Sequence, residues 1–182
     1  MSMLMLDLFS GLGGASYAMK ERGWEVITVE LNPDFKPDIC TDITGWSWSG
    51  PRPDLVWASP PCTEFSKASL PKSWACNRTP PCPDVGLMLQ AKRIIEECNP
   101  RYWVIENVRG AKPFFGPWLG KPRKEVGSRI LWGEFPIFDT PKVYGKWRLA
   151  PAKDRAARRS KIPPGISWAL CLAIEQEVIR VS

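Results

Sequence analysis

Histidine is absent from this chain of 182 residues. That absence removes the Ser-His-Asp triad, the Cys-His protease pair and every histidine-based metal centre. Acid and base chemistry must come from carboxylates, Tyr, Lys, Cys or water. Long apolar runs are missing too, and no charged-then-apolar leader opens the chain. The expectation is a cytoplasmic protein with no membrane contact. Six cysteines (Cys40, Cys62, Cys76, Cys82, Cys98 and Cys171) would suit a disulfide scaffold only in a secreted chain, so free thiols are expected. Cys76 and Cys82 form the single close pair, without a second pair or a histidine, and no metal site is expected.

What is present describes a folded domain. The chain is 44% hydrophobic and 24% charged, neither disordered nor membrane-embedded in composition. Its length suits one domain, residues 1–182, with a sizeable core. A net charge of +6 and a pI near 9.1 favour a polyanionic partner.

The stretch from Pro53 to Ser66 organises the reading. Leu55 to Ala58 is a short apolar run of the length of a strand buried on both faces. Pro60 and Pro61 end it, because each removes a backbone donor and restricts the residue before it. Cys62 follows on a stiff turn at the strand's carboxyl edge, where open α/β sheets place their chemistry. It reads either as a small buried hydrophobe or as a presented nucleophile.

Upstream, Leu4 to Phe9 is an apolar strand, Ser10-Gly11-Leu12-Gly13-Gly14 a glycine turn, and Ala15 to Lys20 a helix. Such a turn either binds a nucleotide or is a plain connection. Glu25 to Glu30 is a second strand, and Glu30 stands about twenty residues past the glycines, where a carboxylate can take ribose hydroxyls or simply be solvated. Asp38 to Ile43 reads as a short third strand and loop. Residues 63–83, rich in Pro, Ser, Lys and Trp, read as a loop over the site. Asp84 caps a helix with a stripe of Leu87, Ala91, Ile94, Ile95 and Cys98, closed by Asn99 and Pro100. Tyr102 to Ile105 is another buried strand, and it puts Glu106 at the same edge as Cys62, as an acid or a plain helix cap. The repeated order of strand and helix predicts an α/β, doubly wound, mostly parallel sheet. From Phe114 to Trp147 the pattern predicts hairpins and loops. Lys146 to Lys161 carries seven Lys or Arg, a solvated face or a grip for phosphates. A final helix has the stripe Ile166, Leu170, Ala173, Ile174 and Val178.

In order, Asp7-Leu8-Phe9-Ser10-Gly11-Leu12-Gly13-Gly14, Glu30, Ser59-Pro60-Pro61-Cys62 and Glu106-Asn107-Val108 closely resemble the cytosine-C5 DNA methyltransferases. Further similarity lies in Ser128-Arg129 before Leu131-Trp132-Gly133, and in Arg158 to Ile174 with Ile162-Pro163-Pro164. The resemblance covers nearly all of residues 3–175 and is greatest to short members of bacteriophage type. It implies the Rossmann-like sheet of S-adenosylmethionine-dependent methyltransferases. It also implies transfer of a methyl group from S-adenosylmethionine to C5 of cytosine in DNA, leaving S-adenosylhomocysteine. Cys62 is then the nucleophile at C6, Glu106 the acid at N3, and Arg129 the arginine that touches the target base. Phe9, Ser10, Gly11, Leu12 and Gly13 surround the methionine part, and Glu30 takes the ribose hydroxyls. Leu31 flanks the adenine, Asp42 accepts from its amino group with Ile43 packed beside it, Pro60 lines the cleft and Ser167 lies near the methionine end. The partner is DNA, bound by a monomer, in phage or restriction-modification biology.

The chain departs from the family at three places. A glutamine and two alternating arginines normally follow the glutamate motif, and here only Arg129 is a candidate. Thr63-Glu64-Phe65 replaces the glutamine-glycine after the cysteine. Only about thirty residues lie between Arg129 and Arg158, too few for a target-recognition domain, so a reduced recognition region at about 111–161 and a short or relaxed sequence context are expected. An RNA cytosine-C5 methyltransferase of the tRNA type and a catalytically silent cofactor- or DNA-binding module are the alternatives.

Overall fold

The computed structural model describes residues 2–65, 83–140 and 161–181, with Val181 described for its backbone alone. The basic run up to Ser160, the loop at 66–82 and the pair Cys76 and Cys82 lie outside the described residues.

A seven-stranded sheet carries the fold. β1 (Leu4–Leu8), β2 (Glu25–Glu30), β3 (Ile39–Cys40), β4 (Leu55–Ala58), β5 (Tyr102–Val108), β6 (Lys124–Val126) and β7 (Arg129–Glu134) lie in the order β3-β2-β1-β4-β5-β7-β6. The first five are parallel, and β7 runs antiparallel to both β5 and β6. β1 and β4 are buried at every position. Strands covered on both faces give continuous apolar runs rather than alternation, which is why both are plain in the sequence.

Among the described residues the cover comes from α1 (Tyr17–Glu21), α2 (Gly86–Cys98), α3 (Lys112–Leu119) and α4 (Pro164–Val181). On one face Ala18 and Met19 of α1 and Ile166, Leu170, Cys171 and Ile174 of α4 pack over Met5, Leu55, Trp57 and Leu131. Burying each of the larger side chains contributes roughly 1.5–3 kcal/mol. On the other face Met88, Ala91 and Ile94 of α2 and Phe115 of α3 pack over Leu6, Leu8, Val56 and Ile105. Among the described residues no helix is long and apolar enough to cross a membrane.

Several expectations need adjustment. The third strand shrinks to Ile39–Cys40. Asp84 precedes the N-cap of α2, which is Val85 and makes no side-chain cap; its Oδ1 accepts locally from the Gly86 N–H at 2.7 Å, and Met88 rather than Leu87 takes the buried place in the stripe. The region after Phe114 is not all hairpin and loop. α3 occupies Lys112–Leu119 and contains Pro117. Burial of Phe115 against Phe65 and Trp132 outweighs the missing proline donor.

Candidate active site

The carboxyl edge of the parallel strands gathers the polar side chains. Cys62 follows β4 on the Pro60-Pro61 turn, half-buried. Asn107, 1% exposed, donates its amide N–H to the Pro60 carbonyl at 3.0 Å, and its own Oδ1 accepts from the Val108 N–H at 2.9 Å. The turn is therefore tethered to β5. On the far side of Cys62 a second turn closes, with the Phe65 N–H donating to the Cys62 carbonyl at 3.1 Å. Phe65 is buried against the rings of Phe114 and Phe115, at centroid distances of 5.8 and 5.0 Å. Gly110 permits this, since a Cβ there would lie 2.0 Å from the Phe65 carbonyl oxygen.

Glu106 is 4% exposed on β5, and the Arg129 Nη1 donates to its Oε1 at 2.8 Å. The other guanidinium nitrogen, Nη2, donates to the Lys161 carbonyl at 3.0 Å. Burial raises the Glu106 carboxyl, and Arg129 opposes that rise. The Cys62 thiol is also raised, first by burial and then by the Glu106 charge, with Arg129 acting against both. Cys62, Glu106 and Arg129 thus share one electrostatic site.

A second group lies beside it. The loop after β1 turns through Phe9 (φ 58°), Gly11 (φ 47°) and Gly13 (φ 64°), and the Gly13 N–H donates to the Ser10 carbonyl at 2.8 Å. Left-handed backbone costs glycine nothing but strains Phe9. Glu30 binds this loop to the end of β2: its Oε2 accepts from the Gly11 N–H at 3.0 Å, and its Oε1 from the Leu31 N–H at 3.0 Å and the Asn32 N–H at 3.2 Å. Leu31 is 64% exposed, Leu12 is exposed beside the loop, and Ile43 is buried beneath. Asp42 is exposed, and its carboxylate accepts from the Thr44 N–H at 2.9 Å, which lowers its pKa. Pro60 is buried between the two groups.

Ser167 stands elsewhere. It is fully buried between α4 and α1, its hydroxyl donating to the Ala15 carbonyl at 2.5 Å and accepting from the Ala18 N–H at 3.0 Å. These bonds latch α4 to α1.

Two side chains at this edge carry no sequence-based assignment. Asn107 is one. The other is Asp7, 1% exposed, whose carboxyl is raised by burial to about 7, with Ser16 and Lys20 acting in the lowering direction. Neither Asp7 Oδ2 nor the Ser16 hydroxyl has a hydrogen-bond partner of normal geometry among the described residues. Both belong to motifs visible in the sequence, but only burial sets them apart. Among the described residues no three acidic or Cys side chains are grouped to hold a metal ion.

The strand order, with one antiparallel strand between β5 and β6, defines a Rossmann-like sheet of the S-adenosylmethionine-dependent methyltransferase type. A prophage-encoded DNA modification methyltransferase of E. coli superposes with a TM-score of 0.50 at 19% identity, over 72% of this chain and 46% of the other. The chain belongs to the C-5 cytosine-specific DNA methylase family, whose sequence model matches residues 3–114. It is 32% identical over 117 residues to the "Probable DNA (cytosine-5)-methyltransferase" of Frog virus 3, covering 58% of this chain and 53% of that one. It is 28% identical over 149 residues to the type II methyltransferase M1.HphI of Haemophilus parahaemolyticus, covering 71% of this chain and 38% of that one. The chain therefore spans about half the length of the viral relative, and less of the bacterial one.

Proposed function

We propose that this protein methylates C5 of cytosine in DNA through a covalent bond between Cys62 and C6. The observation that carries the reading is one buried carboxyl, Glu106, paired with Arg129 and electrostatically coupled to the Cys62 thiol.

Cytosine C5 is a weak nucleophile until something adds at C6. Cys62 adds as a thiolate, and the negative charge that spreads through the ring collects at N3. Burial raises the Glu106 carboxyl toward its protonated form, the form that can place a proton there. The two titrations favour each other. A neutral Glu106 no longer repels the Cys62 thiolate, while Arg129 remains as counter-charge, so the site carries one negative charge rather than two. Arg129 also orients the carboxyl, and Asn107 fixes the turn that presents the sulfur. Once C5 has taken the methyl group, loss of its proton to water forms the C5–C6 double bond as the Cys62–C6 bond breaks, and N3 returns its proton to Glu106.

The residues at the β1 and β2 ends fit S-adenosylmethionine. A turn with left-handed backbone at Phe9, Gly11 and Gly13, the Glu30 carboxylate at its rim and the orphaned Asp7 oxygen beneath make an acidic, close-approach cradle. That suits a ligand with a cationic methionine end and ribose hydroxyls. Phe9 to Gly13 would hold the methionine part, Glu30 the ribose, and Leu31, Asp42, Ile43 and Pro60 the adenine and the cleft wall. When bound, the cofactor supplies the electrophilic methyl group.

Nucleoside mass spectrometry of DNA and of tRNA after incubation with protein and cofactor tests the reading, and 5-methylcytosine in DNA is expected. A 5-fluorocytosine duplex should trap the parent protein but not Cys62→Ser, which should still bind cofactor. Product confined to RNA, or trapping through another cysteine, would overturn it.

A further inference from the structure

Two polar side chains on the face of Glu106 have no part in that chemistry. The parallel register pairs Trp57 with Val104 and Ala58 with Ile105, so Ser59, the next residue, stands beside Glu106. Trp57 is fully buried, and its indole Nε1 donates to the Ser59 Oγ at 2.7 Å. An indole N–H can only donate. By filling an acceptor position of the hydroxyl, it leaves the single Ser59 proton to point away from the indole, and Ser59 acts on the neighbouring Glu106 carboxyl in the lowering direction. Toward the ionised form of that carboxyl, which has no proton to give, the hydroxyl can only donate.

We propose that Trp57 and Ser59 are positioning residues for Glu106: the indole fixes the direction of the hydroxyl, and the hydroxyl holds the carboxyl from the β4 side while Arg129 holds it from β7. The proposal rests on the reading of Glu106 as the acid at N3. Its consequence is specific. A donor to the ionised carboxyl favours proton release to the base, so the relay from Trp57 eases the step in which Glu106 gives up its proton. Trp57 acts only through Ser59.

The charged or titratable groups facing Glu106, among the described residues, are Arg129 from β7 and Cys62 from the loop after β4. The test therefore uses the full chain with Cys62→Ser, so that the coupled thiol is gone. The Glu106 carboxyl is followed by carbon NMR against pH in protein labelled at glutamate, and Glu106→Gln identifies its resonance. Ser59→Ala should move the midpoint to higher pH, and Ser59→Thr, which keeps the hydroxyl, should restore it. Trp57→Phe should move it in the same direction and by less, with no added effect on top of Ser59→Ala. An unmoved midpoint in Ser59→Ala would overturn the proposal, as would an undiminished effect of Trp57→Phe without the hydroxyl. If Trp57→Phe does not fold, the two Ser59 variants decide. Parental turnover by Glu106→Gln would sink the acid reading instead, a result these titrations do not affect.

Discussion

Asp7 spends its whole length inside the protein without a full set of partners, and this has a thermodynamic signature. Its carboxyl rises from 3.8 to about 7 on folding, chiefly through burial. Between those pH values the folded protein holds a proton that the unfolded chain has released. Its contribution to stability is fully present below about pH 4 and is lost as the pH rises to about 7, by on the order of 4 kcal/mol at most. Asp7→Asn removes the charge and keeps the shape. The variant should unfold at higher temperature than the parent at pH 8, with the gap closing toward pH 4, and parallel melting curves would show that Asp7 is ionised in the fold. The fold brings Cys62, Glu106 and Arg129 together. Cys62 and Glu106 were legible as chemical types at strand ends, and Arg129 only through the family resemblance. Asp7 and Asn107 were not, although both stand in the quoted motifs, because a lost or gained hydrogen-bond partner is a property of packing. The bonds of Ser167 to Ala15 and Ala18 are hidden in the sequence for the same reason, since a serine near the last motif does not state its partners.

At the level of elements, the segment entering α4 is what joins the two halves of the site. Its Lys161 carbonyl accepts from Arg129, and its Ile162 lies against Gly14 at the end of the glycine turn. A Cβ at position 14 would lie 2.6 Å from the Ile162 carbonyl oxygen and 2.7 Å from its nitrogen, and backbone cannot swing aside as a side chain can. Gly14→Ala should therefore cost about 1–3 kcal/mol and lower Tm by several degrees. Gly165→Ala, in the first turn of α4 with nothing within 4 Å of the added carbon, should be neutral or slightly stabilising. Equal melting temperatures for the two variants would show that the 161–162 segment is not packed as described. The parallel strands were readable because burial on both faces writes an apolar run into the sequence. The antiparallel insertion of β7 between β5 and β6 was not, since Ser128 to Trp132 reads as an extended piece without stating its neighbour. α3 was hidden by its own prolines, Pro113 and Pro117.

For the molecule as a whole, charge and size bear on how DNA is held. On the proposed function, the net charge of +6 and the seven Lys or Arg from Lys146 to Lys161 are available for phosphate contacts, which carry no sequence information. Binding should then weaken steeply as salt rises. Neutralising Arg155, Arg158 and Arg159 together should lower affinity for all sequences alike and flatten the salt dependence in a titration. Deep sequencing of modified random DNA should return a context of about two or three bases, because base-edge readout needs an element that fills the major groove. A longer strict motif would mean that a recognition element has been misread in this region. The latch at Ser167 has a further consequence, in time rather than in space. Its partners Ala15 and Ala18 lie 152 and 149 residues earlier in the chain. α4, which covers α1, is made well after it. During synthesis Ala18 and Met19 wait for that cover until the intervening chain has been made, and in refolding their burial requires closing a loop of that length. Such distant closure belongs to slow, non-local folding, so α1 becomes native late.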